Sequence, residues 1–387
     1  MSDHQIYPII IVGGGPVGLY LALRLIKSGI RCLVLEQKPE IDNHSRSLGI
    51  HPVSLELFDE LQIADQFIEK GTKISKGHAF ADDTFIGTIS FEDCPPPFNF
   101  ILSLPQNMTE QMLQDTLNRA DPECLQRGIE LVDFYQTGQS VHLTCKREEG
   151  ILHYQTDWLI GCDGKNSIVR KKAGMTFEGK QYPDTYIMGD FNDCTTFGSD
   201  AAVYIHRDGL VESFPLPDGQ RRWVLKTSNY FENPTHSILA NLLKKRVSID
   251  ITGNQMHMIS SFGVQHFLAD TFCTGRILLA GDSAHIVSPI GGQGMNLGWI
   301  SAGFLFQALH QIHHKNRNAE QILQSYTDVA RRIARQVALR AEMNMRLGRK
   351  QNLPVLRQLL IRALVNSPLK NTLAKVFTMR GLGKWWI

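Results

Sequence analysis

The sequence has no apolar run of 18 residues, so it offers nothing long enough to span a membrane as a helix. It also has no C-x-x-C pair. Its seven cysteines, Cys32, Cys94, Cys124, Cys145, Cys162, Cys194 and Cys273, are scattered and odd in number. That spacing excludes a zinc-ribbon type of site and a disulfide framework, and it suits free thiols in a reducing cytoplasm. Net charge is only +2 over 387 residues, so bulk electrostatics give no reason to expect nucleic acid as a partner. There is no internal repeat and no low-complexity tract. Met1 to Tyr7 lacks the basic stretch and cleavage site of a signal peptide, and a cytoplasmic location is expected. No Ser-His-Asp order or metal-ligand spacing stands out. No metal is expected, and no catalytic side chain is named.

What remains is an ordinary globular balance, 43% hydrophobic and 20% charged. The length predicts two domains. Pro8 to Val12 reads as a buried strand, Leu19 to Ser28 as a helix with Gly29 at its C-cap, and Arg31 to Leu35 as a second strand ending at Glu36. Val53 to Phe67 reads as one helix. Asn107 is placed to cap a helix over Met108 to Arg119, with Glu110 completing a capping box. Asp157 to Gly161 and Ile277 to Ala280 are further apolar strands. Between about 180 and 270 short segments alternate apolar and polar residues, as in Ala202 to His206 and Arg222 to Lys226, with a turn at Pro217-Asp218-Gly219. From about Leu297 the pattern is helical nearly to the end. The strand-glycine units lie far apart, so a single nucleotide domain must be assembled from separated segments around a β-rich insertion.

Three glycine motifs carry the chemistry. The first, Gly13-x-Gly15-x-x-Gly18, lies between strand and helix. Gly13 permits the tight turn, Gly15 lets a pyrophosphate approach the backbone, and Gly18 lets the helix pack closely. Glu36 stands where a carboxylate can accept hydrogen bonds from a ribose diol. Alone, this motif does not separate NAD from FAD. The second is Gly161-Cys162-Asp163-Gly164-x-x-Ser167-x-Val169-Arg170. The third is Gly281-Asp282-Ser283-Ala284-His285, followed by Pro289-x-Gly291-Gly292-Gln293-Gly294-Met295-Asn296.

With this ordered trio the chain resembles the class A flavoprotein monooxygenases, the para-hydroxybenzoate hydroxylase-like aromatic hydroxylases, over most of its length. The resemblance implies an α/β fold with a Rossmann-like FAD-binding domain assembled from 1–72, 100–180 and 270–318. A β-rich substrate domain would comprise 73–99 and 181–269, followed by a C-terminal helical segment, 319–387. It implies FAD contacts at Gly13, Gly15, Pro16, Val17, Gly18, Glu36, Arg46, Gln106, Asp163, Asp282, Pro289, Gly292, Gly294, Met295 and Asn296. Arg170 is offered as a phosphate contact. NADPH or NADH would be the co-substrate. The expected reaction hydroxylates an aromatic, phenolic or polyketide-like molecule with O2 through a flavin C4a-hydroperoxide. A quinone-precursor hydroxylase, a reductase and a flavin-bearing redox sensor stay open as alternatives. Two departures from the family pattern are Ser288, where a first proline is frequent, and Ser301, where aspartate is common.

Several residues admit two readings. His285 either contacts flavin or substrate or makes a structural hydrogen bond in the turn. Trp223, Phe214 and Tyr204 either line the substrate pocket or face a core, since alternation alone sends half of them each way. His310, His313 and His314 read as a solvated basic face. The basic C-terminal stretch, with Leu356, Leu359, Leu360 and Leu364 at helical spacing and Trp385-Trp386-Ile387 at its end, is expected to pack on the protein. Weak peripheral membrane contact is the lesser alternative.

Overall fold

A computed structural model describes residues 5–42, 47–315, 318–349, 362–363, 366–367, 369–380 and 382. Arg46, Leu356, Leu359, Leu360, Leu364 and Trp385 to Ile387 lie outside the described residues, whereas Ala374, Met379 and Leu382 of the C-terminal stretch are buried against the rest of the protein, as the packing expectation has it. Among those described, no helix is long and apolar enough to cross a membrane.

The first strand, Gln5–Val12, ends in four buried residues, because it is central in an eight-stranded sheet and covered on both faces. It pairs in parallel with Gly150–Gly161 on one side and Cys32–Glu36 on the other. Ile277–Leu279 and Leu125–Arg127 extend the parallel core outward. The register brings the strand ends together. Val12 stands opposite Leu35 and Gly161, and Gly161 stands opposite Leu279. Three strands distant in sequence thus end level, and each is followed at once by one of the glycine motifs. Ligands of open parallel sheets bind at this carboxyl edge. The helices Pro16–Lys27 and Gln293–Lys315 cover the sheet through one continuous apolar core.

A second eight-stranded sheet is mostly antiparallel. It is built from Phe177–Asn192, Ala201–His206, Gly209–Pro215, Gln220–Thr227 and Met256–Ala269, with Lys76–Ala81 and Thr84–Ser90 at one edge and His285–Ile286 at the other. At Pro217-Asp218-Gly219 the turn is made by positive φ at Asp218 and Gly219, 59° and 66°. One face of this sheet buries Ile187, Tyr204, Trp223 and Leu225 under the helix His236–Val247. The other buries Tyr186, Met188 and Val224 together with Ile290 of the third motif's loop and Met345 of the helix Ala319–Gly348.

Three local expectations are corrected. Val53 to Phe67 is two helices, Pro52–Asp59 and Ala64–Lys70, separated by a turn in which Gln62 takes φ 57°. The apolar spacing runs on through the break because both helices and the turn bury Leu57, Phe58, Leu61 and Phe67 in the same core. Asn107 does not cap its helix. The helix begins a residue earlier, at Gln106, with Pro105 before it and no capping side chain. Finally, the C-terminal helical run starts at Gln293 and breaks before Ala319, where the Asn318 side chain accepts from the Glu320 N–H at 3.1 Å.

Candidate functional site

The glycine turn after Val12 is shaped by contact. Gly13 has φ 109°, and a Cβ there would lie 2.3 Å from the Cys162 carbonyl oxygen. A Cβ on Gly18 would lie 2.0 Å from the Gly13 carbonyl oxygen. Gly15 differs: nothing lies within 4 Å of the place its Cβ would take. It stands at the N-terminus of Pro16–Lys27, where no side chain caps the helix and Pro16 has no N–H to satisfy. The result is an open, positively polarised helix end suited to phosphate. Beside it, the Glu36 carboxylate accepts from the Gly14 N–H at 2.6 Å and the Lys38 N–H at 2.8 Å, which fixes it at the end of its strand.

The second motif packs under the first through that Gly13–Cys162 contact. Asp163 accepts from the Val169 N–H through one oxygen at 3.1 Å. Its other oxygen is buried without a partner, and burial raises its pKa. Arg170 is not placed for phosphate. Its guanidinium donates to the carbonyl oxygens of Ser283 and Lys165 at 2.8 and 2.9 Å and stacks on Phe177, 3.8 Å from the ring centre. It is only 4% exposed, so it ties the second motif to the third and is spent in doing so.

The third motif meets the first through Val17. A Cβ on Gly281 would come within 3.2 Å of that side chain, and one on Gly298 within 2.5 Å. Asp282 is open to solvent, yet protein crowds it enough to push its pKa up to about 6, as at the floor of a cleft. Gly291 and Gly292 take φ 85° and 65° in the loop that begins with exposed Pro289. Gly294 and Met295 lie in the first turn of Gln293–Lys315. Asn296 is more fully engaged than its place in the motif suggests. Its side-chain oxygen accepts from the His51 N–H at 2.8 Å and the Ser54 hydroxyl at 2.7 Å, and its amide donates to the Gly49 and Gly292 carbonyls at 2.8 Å each. That satisfies all four of its hydrogen-bonding positions, so only its backbone is free for a ligand.

One ring nitrogen of His285 makes a structural bond, and the other, Nδ1, is buried without a partner among the described residues and so open to a ligand. The bonded nitrogen pairs with the Ser301 hydroxyl at 3.1 Å, and burial lowers the ring's pKa to about 4, so the ring is neutral. A hydroxyl at Ser301, unlike a carboxylate, does not draw a proton onto it. Trp223 and Tyr204 belong to the core beneath the helix His236–Val247, away from the third motif, whereas Phe214 packs on the opposite face.

Sequence reasoning passes over three residues with unpartnered buried polar atoms. Both amide atoms of Gln293 are buried and unpartnered, as are Asn107 Oδ1 and His51 Nδ1. Gln293 is visible inside the third motif. Asn107 has the sequence context of a cap, and His51 gives no local signal. Gln106, at the head of the same helix as Asn107, donates to Glu110 at 2.7 Å, and its N–H bonds to the Ser47 carbonyl. Unsatisfied buried polar atoms are rare in folded proteins and ask for a partner. An open phosphate cradle, an oriented acid at a strand end and an unpartnered amide within the third motif fit a flavin adenine dinucleotide.

The family model described as FAD binding domain matches residues 7–341. The chain belongs to this FAD-binding family. Among its relatives, an uncharacterized aromatic compound monooxygenase from Bacillus subtilis (strain 168), YhjG, is 32% identical over 299 residues, 76% of this chain and 59% of that protein. A rifampicin monooxygenase from Streptomyces venezuelae is 31% identical over 302 residues, 76% of this chain and 61% of its own length. The chain thus spans about three-fifths of these two curated relatives. Among solved structures, the anhydrotetracycline hydroxylase OxyS from Streptomyces rimosus superposes with a TM-score of 0.81 at 27% identity, over 97% of this chain and 76% of that one. The p-nitrophenol 4-monooxygenase PnpA from Pseudomonas putida DLL-E4 shares the fold at a TM-score of 0.87 and 19% identity, with 97% of each chain covered. The α/β architecture read from the motifs is therefore that of FAD-dependent hydroxylases.

Proposed function

We propose that this FAD-binding protein is a monooxygenase that hydroxylates an aromatic, phenolic or polyketide-like small molecule, using NADPH or NADH and O2. One observation carries the reading. The three motifs converge on the carboxyl edge of the parallel sheet, and their last loop packs, through Ile290, on a separate antiparallel sheet. A cofactor along that edge would face a wall built by the other sheet. The relatives' names, an aromatic compound monooxygenase and a rifampicin monooxygenase, support the same class.

In this reading the segments 1–72, 100–180 and 270–318 hold FAD, and 73–99 with 181–269 supply the substrate wall. The Gly13–Gly18 turn and the N–H groups of Val17 and Gly18 take the pyrophosphate, and Glu36 accepts from the adenosine ribose. Asp163 and Asp282 meet the middle of the cofactor. Gln106, Pro289, Gly292, Gly294 and the backbone of Met295 and Asn296 border the ring. When bound, FAD supplies the redox chemistry, taking a hydride equivalent from the nicotinamide and activating O2. The chain's part is to exclude water, orient the substrate and stabilise charge. The positive end of Gln293–Lys315 would favour negative charge in the ring by about 0.3–1 kcal/mol.

Labelled oxygen tests this. Phenols and polycyclic polyketides that stimulate NADPH oxidation are incubated with the protein under labelled O2. One labelled atom should enter each product, and none should come from labelled water. Oxygen derived from water, or turnover without O2, would overturn the reading.

A further inference from the structure

The face of the antiparallel sheet that meets the third motif carries an acid that no other group answers. Glu212 lies mid-strand in Gly209–Pro215, opposite Val203 on one neighbour and Val224 on the other, and Val224 stands opposite Met188. Residues paired in this way project from one face. That face is the apolar one containing Tyr186, Met188, Val224 and Ile290. Glu212 is 8% exposed, and among the described residues neither a hydrogen bond nor an ion pair reaches its carboxyl group. The Tyr186 hydroxyl on the same face is also buried and unpartnered. An acid and a phenol left unsatisfied together on an apolar wall are an unfinished hydrogen-bonding site.

The charges around it decide what completes the site. On the flanking strands, Arg222 is held by Asp190 through two bonds of 2.6 and 2.7 Å. Lys226 meets Asp184 at 3.2 Å, and Arg349, at the end of Ala319–Gly348, meets the same Asp184 at 2.6 Å. Ala201–His206 brings apolar Val203 to this face, the third motif's loop brings Ile290, and the long helix brings Met345. These cations are each held by an acid of the sheet. The wall therefore offers an incoming molecule a carboxyl group and a hydroxyl, with its cations already engaged.

We propose that Glu212 is the substrate-recognising base of this sheet face, selecting a phenolic substrate by accepting its hydroxyl hydrogen, with the Tyr186 hydroxyl as second contact. This rests on the monooxygenase reading above. In the proton step the phenol O–H bond breaks and a carboxyl O–H bond forms on Glu212. The electron pair stays on the phenolic oxygen and enriches the ring carbons ortho and para to it, so no redox partner enters the step. Burial supports the role by pushing the Glu212 pKa up to about 7, close to where a general base works best. Below that pH the group is a neutral acid, and above it a carboxylate. A substrate bearing its own carboxylate at this end would be rejected by like charge.

The test uses the FAD-loaded protein and 4-methylphenol, with binding read from the perturbed flavin absorbance between about pH 5.5 and about pH 8.5. In the unaltered protein affinity should rise roughly tenfold through pH 7 and then level, as a charge-assisted bond replaces a neutral one. Glu212→Gln keeps the size of the side chain. It should bind the phenol with flat pH dependence, roughly tenfold more weakly at high pH. Infrared difference titration gives a second readout without ligand or turnover: a carboxylic acid band titrating near pH 7 that is missing from Glu212→Gln. The proposal is overturned by a flat profile in the unaltered protein, by a rise that survives in Glu212→Gln, by 4-methylbenzoate binding in preference, or by folded holoprotein that binds no phenol. If phenol binds as expected but O2 is not incorporated, the monooxygenase reading falls and the Glu212 assignment stands.

Discussion

Protein packed around Asp282 disfavours its charge, while the same crowding makes it an effective acceptor for a ligand hydroxyl. The two effects separate by substitution. Asp282→Ala should weaken FAD binding by about 1.5 to 3 kcal/mol, roughly 10- to 150-fold, the loss of one charge-assisted hydrogen bond. Fluorescence titration of the apoprotein with FAD measures it, and unchanged affinity would remove Asp282 from the site. Asp282→Asn should do the opposite to the stability of the apoprotein. The folded pKa of about 6 lies above the ordinary value, so the native state binds the proton more tightly. Stability is then lost as pH rises from about 4 to about 6. In full, that rise in pKa is worth about 3 kcal/mol, but solvent reaches this group, so about 1 kcal/mol is expected. Urea unfolding at pH 7.5 should show Asp282→Asn more stable than the parent, with the difference gone near about pH 4.

At the scale of elements, one side chain joins three of them. Asn296 binds the first turn of Gln293–Lys315 to Gly49 and to the start of Pro52–Asp59, through His51 and Ser54. Asn296→Ala would strand a buried N–H, the Ser54 hydroxyl and two carbonyls. We expect a loss of about 3 kcal/mol in unfolding free energy, read by denaturant titration of the apoprotein. A loss under about 1 kcal/mol would mean that neighbouring groups take over the bonds. The element also shows why sequence reading stops short here. Gln293-Gly294-Met295-Asn296 is a recognisable stretch, but which of its side chains turn inward depends on residues some 240 positions earlier, as the Asn296–Ser54 pair shows. Likewise, periodicity detects the apolar face of 53–67 and misses the turn at Gln62, because hydrophobic spacing records burial and carries no record of φ.

On the scale of the whole molecule, the long helix Ala319–Gly348 reaches from the FAD-side core to the far sheet. There Arg349 grips Asp184, which is 2% exposed. Burial alone would raise the Asp184 pKa, but Arg349 and Lys226 outweigh it and the net shift is downward. A depressed carboxylate contributes stability above its unfolded pKa and loses it as pH falls through the folded one. Arg349→Ala should therefore destabilise the protein at neutral pH by about 1–2 kcal/mol, since Lys226 still answers the charge. The deficit should shrink in acid. Equal stability of variant and parent from about pH 7 down to about pH 3 would show that this contact does not hold the helix to the sheet.

By itself the sequence determined the motifs and their order, and through them the family resemblance that implies FAD. Glycines beside Val12, an acid closing the strand at Glu36 and an acid after Leu279 are local requirements of local geometry, and local geometry is written in neighbouring residues. The tertiary structure alone decided the direction and the partners of the side chains. Alternation in 201–227 identifies two faces without saying which of them meets the third motif, because a period of two is the same seen from either side. That is why Trp223 and Tyr204 are as eligible for the pocket as Phe214 on pattern alone, and why Glu212 draws no notice among its apolar neighbours. Arg170 has the sequence context of a phosphate ligand, yet its guanidinium lies between Ser283 and Lys165. An ion's role follows from what surrounds it, and those surroundings come from strands and loops brought together only when the chain folds.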